Sequence, residues 1–388
     1  MSLPLITFVI PTRNRQECLL SLLGVLERFY AQKSQLFNVV ILDNSDKETL
    51  SQRVTNLSFS VEYIYSNEQL SVVDNFNQGV NYLSGEYACF IGDDDLISER
   101  IFDLAELMKN QAIDAAVVSP KTKAIYFWPG IVDARWGDVG GNLYFSECSG
   151  KVRIIDTHSA IQASKSRVCD GPLNLPRAYS GLIAKRCIDQ VVEKYGALFG
   201  GCSPDIYSSR LLSSVVKRYV VVELPFLVAG ASKMSTSAAR SERSDIGGLR
   251  DNDHIGRFGH LHWDPIIPEF YSPFTVWSQS YLHAEELLGG KFSPSTLAYL
   301  YVKCLLFARG NSKHVMNSIN LFGNKLQLLM LMAVKSIAVI SGYCFDKLPL
   351  LINQRPGACT HECSELLDSD NAMQYLDSYI KDIPLNLI

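Results

Sequence analysis

The chain has 388 residues, 47% of them hydrophobic and 20% charged, with a net charge of −4 and a pI near 6.0. That length buries a full core in one large domain or two smaller ones. The weakly acidic balance excludes a general nucleic-acid-binding surface. Ten cysteines are scattered along the chain and no secretory pattern precedes the first strand-like run, so the expectation is reduced thiols in a cytoplasmic protein.

The first 120 or so residues alternate strand and helix patterns, as a parallel α/β sheet does. Ile6–Ile10 is a β-branched run stopped by Pro11, and Glu17–Tyr30 carries apolar residues at helical spacing. Val39–Leu42 is a second buried strand, ending at Asp43-Asn44-Ser45, and Val61–Tyr65 is a third. Val72–Leu83 reads as a helix, Tyr87–Ile91 as a strand, Ile101–Met108 as a helix and Ala115–Val118 as a strand. Residues 121–230, rich in glycine and aromatics, read as loops and short strands covering the sheet edge. From about Thr275 helical patterns dominate, among them Thr296–Phe307, Val315–Phe322 and Leu326–Ile340. Leu326–Phe345 is the most apolar stretch; Gln327, Lys335 and Ser341 interrupt it, and a buried helix is expected rather than a span.

Three consecutive carboxylates, Asp93, Asp94 and Asp95, follow the strand Tyr87–Ile91. Like charges packed at a strand end repel, and a folded protein keeps them together when a cation sits there. Oxygen ligands on a short loop suit a hard divalent ion, Mg2+ or Mn2+, which also binds phosphates. The clusters Pro11-Thr12-Arg13-Asn14, Asp43-Asn44-Ser45 and Asp93-Asp94-Asp95 all fall at strand carboxyl ends, where such sheets bind ligands. Cys359 and Cys363 flank His361 but lack a second ligand pair at zinc spacing, so a surface loop is expected there.

The segments Phe8-Val9-Ile10-Pro11-Thr12-Arg13-Asn14-Arg15, Val40-Ile41-Leu42-Asp43-Asn44-Ser45 and Phe90-Ile91-Gly92-Asp93-Asp94-Asp95, in that order, resemble glycosyltransferase family 2. The resemblance is strong over about residues 5–120 and thinner to about 240. It implies a GT-A fold, a Rossmann-like mixed sheet flanked by helices, here followed by a mainly helical C-terminal region. The implied organisation is a transferase domain over 1–240, with a nucleotide-sugar half (1–120) and an acceptor half (121–240), then a linker or lid (241–275) and helices over 276–388.

The resemblance also implies roles. Asp43 matches the carboxylate that accepts from the uracil imide N–H, an acceptor-only group suited to that donor. Pro11 and Thr12 form the turn over the base, and Arg13 either stacks on the base or reaches the diphosphate. Asp94 matches the carboxylate near the ribose and Asp95 the direct metal ligand, with Asp93 beside them; the first Asp of the family's element is here Gly92. Asp205 matches the catalytic base at a helix start, or else only caps that helix. Lys233, in the loop 230–237, reads as a lid or diphosphate contact, or as part of an ordinary linker. His254, His260 and His262 have no spacing that selects one as a metal ligand, and Trp128, Trp136 and Trp263 are packing residues by default.

The implied activity is a metal-dependent (Mn2+ or Mg2+) inverting transfer from a nucleotide sugar, a UDP-sugar first. The implied acceptor is a saccharide or polyprenyl-linked saccharide in bacterial surface-polysaccharide synthesis, such as O-antigen or capsule, at the inner face of the cell membrane. Lys313, Lys325, Lys335 and Lys347 among apolar runs suit peripheral docking on anionic lipid, while a packing or homodimer role is the plainer reading. A nucleotidyltransferase is the first alternative, but the first loop lacks its glycines; a non-catalytic nucleotide- or sugar-binding module is the second, kept open by Gly92.

Overall fold

The computed structural model describes residues 3–59, 61–233, 235, 246–258, 260–366 and 368–388, without the side chains of 253, 254, 346, 347, 349 and 351–353. In chain order the strands are β1 (Ile6–Thr12), β2 (Phe37–Asp43), β3 (Val61–Tyr65), β4 (Tyr87–Phe90), β5 (Leu96–Ile97), β6 (Ala115–Val118), β7 (Ala124–Phe127) and β8 (Val132–Asp133). They continue as β9 (Gly137–Asp138), β10 (Asn142–Phe145), β11 (Lys151–Ile154), β12 (Gly181–Ala184), β13 (Tyr219–Val222), β14 (Leu227–Ala231), β15 (His361–Cys363) and β16 (Asn386–Leu387). The helices are α1 (Gln16–Lys33), α2 (Ser51–Thr55), α3 (Val72–Val80), α4 (Arg100–Asn110), α5 (Thr157–Ser166), α6 (Lys185–Tyr195) and α7 (Pro204–Leu212). Beyond them lie α8 (Asp253–Gly256), α9 (Pro273–Leu287), α10 (Pro294–Phe307), α11 (Ser312–Asn320), α12 (Lys325–Asn353) and α13 (Ser369–Ile380).

The main sheet has nine strands in the order β16-β11-β13-β6-β12-β4-β1-β2-β3. It is mixed: β4, β1, β2 and β3 run parallel, whereas β12 lies antiparallel between β4 and β6. Every residue of β1 is buried, as expected of a central strand covered on both faces. β1 continues through Pro11 to Thr12, two residues past the expected stop. Its last pair with β4 is Val9–Phe90, so the missing Pro11 N–H falls where that ladder has ended. The parallel register aligns Thr12 with Asp43 and Asp43 with Tyr65, which sets three polar groups side by side on one edge.

A second sheet, β15-β10-β7-β14-β5, stands against that edge. β5 follows the acidic loop directly and pairs antiparallel with β14, so the loop is pinned between the two sheets. The region 121–230 contains the expected short strands but also α5 and α6. In α6 the buried residues Cys187, Ile188 and Val191 share one face at helical spacing, a short period that the expectation of loops passed over.

The last residues return to the N-terminal sheet. α13 lies on α1 through Arg28–Asp370 (2.9 Å) and Ser21–Ser369 (2.5 Å), and β16 pairs with β11. Arg100 of α4 also donates to the carbonyls of Ile380 and Ile383. Between these, α10, α11 and α12 share their own apolar cluster, including Leu297, Leu300, Val315, Leu328 and Val339. The buried helix expected at 326–340 proves to be α12, 29 residues long and mostly uncovered. Its segment Lys325–Phe345 is, among the described residues, the one helix long and apolar enough to cross a membrane, with mean hydropathy 1.9 and 17% of it buried.

Candidate active site

The three carboxylates after β4 are all buried, and each of them accepts from protein donors. Asp93 accepts from the Thr12 hydroxyl at 2.6 Å and from Arg15, whose guanidinium approaches both of its oxygens (2.5 and 3.2 Å). Arg15 also reaches Asp94 at 3.0 Å, and the Ser232 hydroxyl donates to the same Asp94 oxygen at 2.7 Å. Asp95 has no direct cation. One oxygen accepts the Gly230 N–H at 2.7 Å, the other the Gly92 N–H and the Tyr179 hydroxyl, both at 3.3 Å.

Among the described residues, Arg15 is the one cation paired with the triplet, through Asp93 and Asp94, so the carboxylates outnumber their cation. Burial first, then the neighbouring Asp94, holds Asp95 above the ordinary carboxylate range. Burial likewise raises Asp93, against the pull of Arg15. Burial and the charges of Asp95 and Asp94 push the Tyr179 phenol well up, so it stays a neutral donor.

Two glycines make this packing possible. A Cβ on Gly230 would lie 1.8 Å from the Asp94 carbonyl oxygen, so only glycine lets β14 approach the loop closely enough to donate to Asp95. A Cβ on Gly92 would lie 2.9 Å from the Tyr179 hydroxyl, 3.1 Å from Asp95 Oδ2 and 3.2 Å from Asp94 Oδ1. Two carboxylate oxygens and a phenol thus close tightly around the glycine, where a side chain would not fit. Among the described residues no group of three His, Cys, Asp or Glu converges on a metal position. What the chain offers a divalent ion is the pair Asp94 and Asp95, and the excess of buried carboxylates over Arg15 fits one.

Across Tyr179 lies the start of α7. Asp205 sits in its first turn, with the Ser203 hydroxyl on Oδ1 at 2.5 Å. The Gly200-Gly201 turn seats it: a Cβ on Gly200 would strike the Tyr207 ring at 2.5 Å, and Gly201 has φ +64°. Ser280 of α9 accepts the N–H groups of Cys202 and Ser203, and the buried pair Arg210–Glu285 (2.6 Å) locks α7 to α9. Asp205 acts electrostatically on both Tyr179 and Arg177. The Arg177 Nε is buried with no hydrogen-bond partner, and its guanidinium has no ion-pair partner among the described residues. Burial lowers its pKa and Asp205 opposes that shift.

The other expected residues fall in different places. Asp43 is buried, with one oxygen on the Ser45 N–H (2.9 Å) and the other on the Tyr63 hydroxyl (2.7 Å), so its first role is to hold the turn after β2. Arg13 is drawn to that same turn by Asp46 at 2.7 Å. Pro11 and Thr12 end β1, and the Thr12 side chain is turned to Asp93. Lys233 is exposed and lies against Gly130, while its neighbour Ser232 donates to Asp94. Of the rest of that loop, Met234, Thr236 and Ser237 lie outside the described residues, as does the His254 side chain. His260 and His262 are exposed. Trp128 donates its indole N–H to the Asp94 carbonyl (2.8 Å) and so braces the loop. His361 binds Glu147 and Tyr379 rather than a metal, and all ten cysteines are free.

Arg15, Tyr179, Arg177 and Ser232 were not singled out by sequence. Arg15 stands inside the first motif, and only the Asp triplet lacking a cation pointed to it. Tyr179 and Arg177 follow an irregular segment with no local signal.

A family model described as glycosyl transferase family 2 matches residues 7–136. No curated protein matches the chain. Among solved structures, S. aureus TarS 1-349 in complex with UDP-GlcNAc aligns with a TM-score of 0.49 and 14% identity, over 97% of this chain and 91% of that one. The mannosyltransferase PcManGT from Pyrobaculum calidifontis, in complex with GDP-Man and Mn2+, aligns with a TM-score of 0.37 and 15% identity, over 87% and 88%.

Proposed function

Residues 7–136 are a glycosyl transferase family 2 domain, and from that premise we propose that the chain moves a sugar from a nucleoside diphosphate sugar to a saccharide hydroxyl with inversion. The observation that carries the reading is the buried pair Asp94 and Asp95, in a triplet that Arg15 alone does not neutralise, with Asp205 near enough to act electrostatically on Tyr179 and Arg177.

Asp94 and Asp95 hold a divalent cation, Mn2+ or Mg2+. When bound, it supplies positive charge against the negative charge that builds on the departing diphosphate. Arg177 holds a diphosphate oxygen: its Nε is buried with no hydrogen-bond partner, and a guanidinium suits a bidentate anion. Arg15 holds Asp93 and Asp94 in place. Asp205 accepts the proton of the acceptor hydroxyl as the new bond to the anomeric carbon forms and the bond to the diphosphate oxygen breaks. Ser203 occupies one of its oxygens and so directs the other at the acceptor. A uracil base is the match for Asp43, whose oxygens each keep a second lone pair.

The test is Asp205→Asn. Turnover should fall about 10²–10⁴-fold, as for loss of a general base, while the affinity for UDP with Mn2+ stays that of the wild type. Wild-type turnover in this variant would remove Asp205 from the mechanism.

A further inference from the structure

α12 is held to the protein along one side only. Leu328, Met332 and Val339 are buried in the cluster shared with α10 and α11. The opposite side carries Leu326, Met330, Val334, Ile337, Ile340 and Phe345, each between 51% and 79% exposed. At 1.5 Å per residue, this apolar ridge runs about 28 Å along the outside of the protein. Of the helix's three lysines, Lys335 lies on the packed side. A ridge of this length is unlike the scattered exposed side chains of an ordinary surface.

Charge identifies what covers it. Residues 287–345 contain Lys291, Lys303, Arg309, Lys313, Lys325 and Lys335 and no Asp or Glu, in a chain whose net charge is −4. Lys291, Arg309, Lys313 and Lys325 are exposed. We propose that this ridge is the surface by which the protein lies on an anionic lipid bilayer, apolar side chains in the acyl boundary and cations at the headgroups. A second copy of the chain would set this cationic segment against itself. Spanning the bilayer would strip Leu328, Met332 and Val339 from their cluster and carry Lys335 into hydrocarbon. The proposal stands apart from the nucleotide site and does not depend on the transferase reading.

The test is co-sedimentation of the full chain with phosphatidylcholine vesicles, with and without phosphatidylglycerol, alongside sedimentation velocity of the free protein. The chain should bind the anionic vesicles, bind neutral ones far less, and be released by salt. Each surface cation contributes about fivefold, so Lys313→Ala with Lys325→Ala should weaken binding about 25-fold. Ile337→Glu should abolish it while leaving the thermal melt unchanged, because that side chain points into solvent. Failure to bind anionic vesicles, or equal binding to neutral ones, would overturn the proposal. So would a dimer that Ile337→Glu dissociates, or protein extracted from cell membranes only by detergent and not by salt or alkali.

Discussion

The acidic loop at 92–95 and the outer side of α12 break the rule of burial in opposite directions. The loop places three carboxylates inside the protein, and α12 leaves a row of large apolar side chains outside it. The loop resolves its conflict internally: Thr12, Arg15, Ser232, Tyr179 and two backbone N–H groups each donate to a carboxylate. The outer side of α12 has no such cover among the described residues. Buried charge is therefore sensitive to any change in its partners, whereas the exposed ridge should be indifferent to change until something docks on it.

That contrast breaks most sharply at Arg15. Arg15→Met leaves three buried carboxylates with no cation, and stability should fall by about 3–5 kcal/mol in denaturant unfolding. A loss under 1 kcal/mol would mean that the loop opens to water and is not held as described. Next in size is Arg177→Ala. It removes a charged group whose Nε has no hydrogen-bond partner among the described residues, so UDP affinity should drop about 10–100-fold, equivalent to about 1.5–3 kcal/mol, with little change in melting temperature. A large loss of stability with unchanged binding would make Arg177 a structural residue.

The pH dependence follows from Asp95, which burial and Asp94 hold above the ordinary carboxylate range. A proton there competes with a divalent cation, so Mn2+ affinity should climb by up to about tenfold per pH unit and level off only above that raised pKa. Without metal the sign reverses for the fold. A folded-state pKa above the unfolded value adds stability at low pH, and that stability is lost as pH rises through it. Titrations of Mn2+ affinity and of unfolding free energy should thus slope in opposite directions. The smallest effect belongs to Ile337→Glu, which should change unfolding free energy by no more than about 0.5 kcal/mol.

Much of the sheet was legible because its strands are short apolar runs closed by polar residues. β3 and β6 match the expected limits, and the strand ends bring Thr12, Asp43 and the Asp triplet to one edge. Asp205 was legible because glycines and a proline precede a helix there. The partners of the triplet were not, since Tyr179, Gly230 and Ser232 lie 84 to 138 residues from the carboxylates they meet and no local pattern encodes that pairing. Lys233 was favoured for its charge, but β14 delivers the neighbouring serine instead. α12 was misread for a different reason. A helix apolar on every side is buried in protein or turned toward lipid, and its sequence has the same composition in both cases.

The central claim is that Asp94, Asp95 and Arg177 form one site for a nucleoside diphosphate and a divalent cation. Calorimetric titration of UDP into wild type, Asp95→Ala and Arg177→Ala, with and without Mn2+, tests it most directly. The account predicts Mn2+-dependent binding in the wild type, no Mn2+ dependence in Asp95→Ala, and weakened but still Mn2+-dependent binding in Arg177→Ala. Binding of UDP that ignores both Mn2+ and Asp95 would contradict it.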